Sequence, residues 1–365
     1  MHISELDTPA LILDLDIMER NIASMAAYSA QAKVSLRPHI KTHKIPRIAQ
    51  RQIDAGAIGI TSAKHSEAAV MVAEDIRDIL IAYPIVSAAK ADALASLVAE
   101  GASITVSLDS ETSARCLSEA AGRSGQHFTL LVEIDVGFGR CGLATSGLAL
   151  SLARLIDTLP GVTFGGLMYY PGHIFAQGPD QEAKIVDVNR RVDAAWDALT
   201  SAGFTITTVS GGYSPTARRA TDFHHITEIR PGMYPFNDRN LLEAGYATLG
   251  DCALRVLATV VSTAVSGHAV LDTGSKTLSS DRLLTGDKIG FGLVVEDPTA
   301  SLFGLSEEHG HLDIAHSEKK YTVGERLTVI PNHVCTTINM HNSLYAVRNG
   351  AVEDIWQIPG RGCVR

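Results

Sequence analysis

"FTLLVEIDVGFG", residues 128–139, is a short apolar and β-branched run that ends in an acid and two glycines. Such a run reads as a buried strand that delivers polar and glycine residues at its C-terminal end. The same pattern recurs along the chain from about residue 17 to about residue 236, in "VSLRPHI" (34–40), "AIGITSA" (57–63), "DILIAYPIV" (78–86), "ASITVSLD" (102–109), "VTFGGLMYY" (162–170), "TITTVSGG" (205–212) and "HITEIRPGMY" (225–234). Between these runs lie Ala-rich amphipathic stretches of helical period, such as "MERNIASMAAYSAQA", "SEAAVMVAE", "SAAKADALASLVAEG" and "DVNRRVDAAWDALTSAG". Eight strands alternating with helices predict an α/β fold, a (β/α)8 TIM-like barrel, with its chemistry at the C-terminal strand ends. A doubly wound sheet is the rival, but it seldom needs eight such units.

After about residue 245 the character changes to β-rich stretches separated by turns: "CALRVLATVVSTAV", "HAVLDTGSK", "GHLDIA" and "ERLTVIPNHV". A second, all-β domain is expected there. The division predicted is a barrel over 10–243 and a β-rich domain from 1–9 and 244–365. "TPALILDLD" near the start is also strand-like and could pair with the second domain before the chain enters the barrel.

Bulk composition narrows the function. With 365 residues, 45% hydrophobic, the chain can bury one large core or two smaller ones. Lys and Arg total 31 against 40 Asp and Glu, so the net charge of −9 argues against a nucleic-acid partner. The N-terminal stretch has acids where a signal peptide would have cations, and the longest apolar run is too short to span a bilayer and contains Arg255. A cytoplasmic enzyme without membrane association is the expectation. The five cysteines are odd in number, scattered, and form no CxxC pair, which favours free thiols over a disulfide set or a zinc ribbon.

The chemistry begins at "RPHIKTHK", residues 37–44. If extended, this stretch places Arg37, His39, Lys41 and His43 on one face. A lysine among cations at a strand end has its charged form disfavoured and can condense with an aldehyde. The alternative is a basic strand end that salt-bridges neighbouring acids; Lys44 is a second candidate nucleophile, off the common face. "TVSGGYSPT" (208–216) and "EIRPGMYPFND" (228–238) each follow an apolar strand with glycines whose N–H groups could cradle a phosphate. They are the last two strand candidates, where barrels commonly place a phosphate site, although tight turns also use Gly and Pro. A lysine for an aldehyde and a cradle for a phosphate describe pyridoxal 5'-phosphate.

"RPHIKTHK", "EIDVGFGRCG", "YYPGHI", "VSGGYSPT", "EIRPGMYPFND", "EEHG" and "PNHVCTTIN", in this order along nearly the whole chain, closely resemble the D-threonine aldolase and D-serine dehydratase family. This is the metal-dependent branch of the alanine-racemase-like, fold-type III enzymes. The resemblance implies a barrel plus a C-terminal all-β domain, pyridoxal phosphate on Lys41, and a catalytic group of Lys41, His39, Arg140 and His173. It implies Arg140 near the cofactor's phenolic oxygen and Tyr170 in the site, with Tyr169 leaving the register open by one residue. Ser210, Gly211, Gly212, Gly232 and Met233 match the phosphate cradle. Arg230 sits where alanine racemases set an arginine against the pyridine nitrogen, and a guanidinium cannot protonate that nitrogen, so the ring is a weaker electron sink.

Other help is suggested by "PNHVC", where His333 and Cys335 are two apart on an expected strand and would project from one face. An imidazole and a thiolate suit zinc or a similar divalent ion, with positions open for substrate, and the metal is left open among zinc, manganese and magnesium. His341, His309 and Glu308 are possible further ligands. Typical aldolases of the family have HxD here and the D-serine dehydratases HxC; this chain has HxC. The reading is a lyase that cleaves D-β-hydroxy-α-amino acids to glycine and an aldehyde. The alternative is a D-serine or 3-hydroxy-D-aspartate dehydratase releasing a 2-oxo acid and ammonia. A remote one is a non-catalytic pyridoxal phosphate-binding barrel, against which the second domain and metal motif count. The resemblance also suggests a head-to-tail homodimer.

Overall fold

Strand β1 (Ala10–Asp14) opens the regular structure of this computed structural model, which describes residues 1–284 and 290–365. The barrel strands follow: β2 (Ser35–Leu36), β3 (Ile60–Ser62), β4 (Asp78–Ile81), β5 (Ser103–Leu108), β6 (Phe128–Ile134), β7 (Val162–Tyr169), β8 (Thr208–Gly211) and β9 (Glu228–Ile229). All eight runs expected from the sequence form strands, paired in the order β2-β9-β8-β7-β6-β5-β4-β3. Every pairing is parallel. The ring closes between β2 and β3 through the parallel bridge His39↔Thr61, where the Thr61 N–H donates to the Pro38 carbonyl at 2.7 Å.

Period two divides each strand between two environments. Ile79, Ile81, Val106, Leu130, Val132, Leu167 and Val209 point outward into one large cluster with Ala68, Ala91, Ala114, Ala120 and Ala149 of the surrounding helices. Alanine there lets helix backbones approach the sheet closely, which explains the Ala-rich helical stretches. The inward face is different. Leu80, Leu131 and Met168 form a small separate cluster, and the inward positions beyond them carry Ser107, Glu133, Ser210, Glu228 and Arg230, all buried.

The second unit holds β10 (Leu254–Ser262), β11 (His268–Leu271), β12 (Gly292–Val294), β13 (Ser301–Leu305), β14 (Gly310–Asp313), β15 (Arg326–Pro331), β16 (Ser343–Arg348) and β17 (Ala351–Gln357). With β1 they make a nine-stranded sheet, mostly antiparallel, of order β13-β14-β11-β10-β1-β16-β17, with β15 on β10 and β12 on β15. The parallel exception is β1 on β16.

The compact units are Ser24–Lys41, Ile45–Gly232 and Cys363–Arg365 on one side, and Met1–Ala23, Thr42–Lys44 and Met233–Gly362 on the other. The division therefore differs from the expected 10–243 and 1–9 with 244–365. Residues 10–23 join the β unit because β1 pairs with β10 (Ala10↔Leu257) and β16 (Ile12↔Tyr345). Residues 233–243 join it because the Asn240 amide donates to the Asn332 carbonyl at 2.7 Å. The triplet after Lys41 joins it through Lys44, whose carbonyl accepts from the Gly360 N–H at 3.1 Å and whose ammonium meets Asn339 at 3.0 Å. Among the described residues no helix is long and apolar enough to cross a membrane.

Candidate active site

The basic stretch is extended only as far as His39. Beyond it Ile40–Thr42 winds into a 3-10 turn, with Ile40 wholly buried, so the expected common face of Arg37, His39, Lys41 and His43 does not form. Each member goes its own way. Arg37 ion-pairs with Glu228 and Asp78, both at 2.6 Å. His43 is buried in the β unit, edge-on to Phe236. His39 sits among other cations: burial first, then Lys41, Arg230 and Arg140, hold its imidazole well below the ordinary histidine range. Lys41 lies exposed on the turn. The cations that share an environment are thus Lys41, Arg140 and Arg230, around a neutral His39.

Arg230 reaches into the barrel from the end of β9. Its Nη1 donates to Ser210 Oγ at 2.6 Å and its Nη2 to the Tyr169 carbonyl at 2.9 Å. The Ser210 hydroxyl in turn donates to Glu228. That commits the hydroxyl expected in the phosphate cradle and leaves to a phosphate the glycine turn after β8; the neighbouring Gly232 amide donates to Ser214 Oγ at 3.2 Å. Gly212 there has a left-handed φ of 71°, and a Cβ on Gly211 would run into the Tyr169 ring. Met233, expected in the same cradle, is assigned to the β unit.

The tyrosine register resolves by direction. Tyr169 packs outward with the helix-side cluster, its hydroxyl buried and without a hydrogen-bond partner among the described residues. Burial pushes that phenol above its ordinary pKa. Tyr170, one residue past the strand, lies under the Arg140 guanidinium at 4.3 Å and against Phe138 and Tyr213. The loops after β6, β7 and β8 therefore meet around Tyr170. His173, on the β7 loop, has its pKa lowered by burial and by Lys184, while Asp135 and Asp187 oppose the shift.

Glu133 escaped the sequence reading. It points inward from β6, and burial raises its carboxyl to about 6 although Arg230 and Arg140 pull the other way. The signal was available as a lone acid in an otherwise apolar strand. A carboxyl raised in the folded state favours folding fully below its unfolded pKa and loses that contribution as pH rises through the folded value. From 4.5 to about 6 the loss is about 2 kcal/mol. Thermal unfolding of Glu133→Gln against wild type should show the wild type losing ground as pH rises from below 4.5 to above 6; parallel profiles would refute the assignment.

In the β unit, β15 stops at Pro331 and His333 is the N-cap of the helix Val334–Met340. The expected strand placement of His333 and Cys335 is thus replaced by a helix start, with Cys335 in the first turn. The two side chains still meet. Burial works against charge on His333, but Cys335 and Asp238 outweigh it and raise the imidazole to about 11. Asp238 is fully buried, and its Oδ2 holds His333 Nδ1 at 3.2 Å while Oδ1 accepts from the Leu241 N–H at 3.0 Å. A carboxylate behind one ring nitrogen turns the other toward a ligand, the usual arrangement behind a metal-binding histidine. Thr42 Oγ1 lies 3.2 Å from Cys335 Sγ.

Two of the three further ligand candidates are engaged elsewhere: His341 Nε2 is 3.0 Å from the Thr277 carbonyl, and Glu308 pairs with Lys276 at 2.9 Å. Among the described residues no group of three or more His, Cys, Asp or Glu is arranged for a metal. The donor chemistry nonetheless fits a divalent ion held by one nitrogen and one sulfur. An exposed lysine, two arginines and a glycine turn likewise fit a phosphorylated aldehyde.

Comparison with known proteins agrees with both units. Residues 13–239 match the family model of the alanine racemase N-terminal domain, and residues 253–347 that of a putative serine dehydratase domain. A D-threonine aldolase from Arthrobacter sp. is 35% identical over 367 residues, covering 100% of this chain and 95% of that one. The crystal structure of a D-threonine aldolase from Filomicrobium marinum superposes with a TM-score of 0.92 at 34% identity, covering 99% of this chain and 98% of that one. A D-threo-3-hydroxyaspartate dehydratase, solved as a cysteine-to-alanine mutant in the metal-free form, gives 0.90 at 30% identity and covers 98% of each. With the motifs, the parallel barrel, the β unit and these full-length likenesses all in agreement, the chain belongs to the D-threonine aldolase and D-serine dehydratase family of alanine-racemase-like lyases.

Proposed function

We propose that this lyase carries pyridoxal phosphate on Lys41 and a divalent ion on His333 and Cys335, and cleaves D-β-hydroxy-α-amino acids to glycine and an aldehyde. The observation that carries the reading is the His333–Cys335 pair with buried Asp238 behind the imidazole. When bound, the cofactor supplies a sink for negative charge on Cα and the ion supplies a Lewis acid for the β-hydroxyl. The chain's own groups do the rest. Lys41 would anchor the aldehyde carbon, and the Gly211–Gly212 turn would offer N–H donors to the phosphate. Arg230 would bring a permanent positive charge to the ring nitrogen of the cofactor. Arg140, stacked on Tyr170, balances negative charge at the mouth of the barrel. His39 and His173, whose imidazole pKa values burial lowers, are the histidines placed to exchange a proton.

Dehydration is the second reading, favoured by one feature, the thiol at position 335 where typical aldolases of the family have a carboxylate. Zinc suits that thiolate better than manganese or magnesium. A homodimer, on the family likeness, and a cytoplasmic setting complete the reading. Incubation with D-threonine should release glycine and acetaldehyde in equal amounts. A 2-oxo acid and ammonia from D-threonine or D-serine would transfer the assignment to the dehydratase.

A further inference from the structure

Arg37, the first residue of the basic stretch, has no part in the reading above, yet it begins a chain of polar groups that runs inward and ends at the buried Arg230. Asp78 and Glu228 accept from its Nη1 and Nε, each at 2.6 Å. The other Glu228 oxygen accepts from the Ser210 hydroxyl, and Ser210 Oγ accepts from Arg230 Nη1 at 2.6 Å. Ser210, Glu228 and Arg230 are 0%, 4% and 5% exposed, so water cannot replace any of these three.

The direction of the hydroxyl proton matters. Ser210 has one proton to give, and a Glu228 oxygen accepts its hydrogen bond, which turns the serine lone pairs toward Arg230. Were Glu228 an amide, its NH2 could donate to Ser210, and the serine proton would then face the arginine. The carboxylate therefore fixes the orientation of the hydroxyl, and the hydroxyl fixes one arm of the guanidinium. The Tyr169 carbonyl fixes the other arm at 2.9 Å. Burial acts against the charge on Arg230, with Glu228 the foremost of the groups that oppose that effect.

We propose that Ser210 and Glu228 are positioning residues that hold the Arg230 guanidinium against the ring nitrogen of pyridoxal phosphate and so keep that nitrogen unprotonated. The inference rests on the reading that Lys41 carries this cofactor. It moves Ser210 from the phosphate end of the cofactor to the ring-nitrogen end. It also gives Arg37 a role, since its Nε–H donates to one Glu228 oxygen at 2.6 Å and so fixes the carboxyl group that orients Ser210.

A purely structural ion-pair chain would affect stability alone, so the test reads the cofactor. Wild type, Ser210→Ala and Glu228→Gln are loaded with pyridoxal phosphate labelled with nitrogen-15 in the ring, and the ring-nitrogen resonance and cofactor dissociation are measured. Ser210→Ala removes little volume and keeps the test open if Glu228→Gln fails to fold. The expected result is an unprotonated-nitrogen shift in wild type, a displaced shift in Ser210→Ala, and cofactor release about tenfold more readily, the scale of one charged hydrogen bond. A Ser210→Ala protein that binds the cofactor as wild type does, with an unmoved resonance, overturns the inference even if its melting temperature falls. A wild-type chain that takes up no cofactor overturns the underlying reading and the inference with it.

Discussion

Lys41→Ala is expected to give a folded protein that borohydride no longer labels with pyridoxyl and whose turnover falls by at least about a thousandfold, the scale on which removal of a covalent catalytic group acts. Folding should survive because Lys41 is exposed on its 3-10 turn, where truncation changes stability by no more than about 0.5 kcal/mol. The turn itself is held by Ile40, wholly buried, not by the lysine. Lys44→Ala is the control. That ammonium bonds to Asn339 at 3.0 Å, and the backbone there has a φ of 57°, so its loss should disturb the β unit and leave the label in place. A label that persists in Lys41→Ala and disappears in Lys44→Ala would reverse the assignment.

The barrel was legible because its strands are written twice, once as apolar runs and again as the polar or glycine residues that end them. "FTLLVEIDVGFG" became β6 and its loop, and the outward alternation of Leu130 and Val132 is what the surrounding alanines require. The basic stretch misled for a physical reason. Period two assumes that the backbone continues extended, and nothing local in "RPHIKTHK" announces that burial of Ile40 turns the chain after His39. The partners that neutralise Arg37, Glu228 and Asp78, come from β9 and β4, far along the sequence. "PNHVC" misled similarly: histidine is not a usual N-cap, and the carboxylate that accepts from the Val334 N–H at the start of this helix is Asp238, 96 positions away. Glu133, Glu228 and Asp238 share one history. Each is an acid whose task is set by long-range packing, so a motif scan passes over it, although a period-two reading of β6 and β9 would have shown Glu133 and Glu228 facing inward.

Removal of the metal should separate the two cofactors. Chelation, or Cys335→Ala, is expected to abolish cleavage while the borohydride label on Lys41 remains, because His333 and Cys335 belong to the β unit and the lysine to the barrel unit. With His333 and Cys335 as the proposed ligands, loss of one should weaken the ion by more than about a hundredfold, since loss of a supporting outer group alone typically weakens it about 10- to 100-fold. Asp238→Asn supplies that milder comparison, and competition with a chromophoric chelator measures both. The thiol can also be changed without being lost. Cys335→Asp keeps an anionic ligand but hardens the site, so zinc should be held less tightly relative to manganese, and activity should follow the metal supplied. A Cys335→Ala protein that binds zinc with unchanged affinity would place the ion elsewhere, and the pairing of His333 with Asp238 at 3.2 Å would then be no more than an anchor for the helix start.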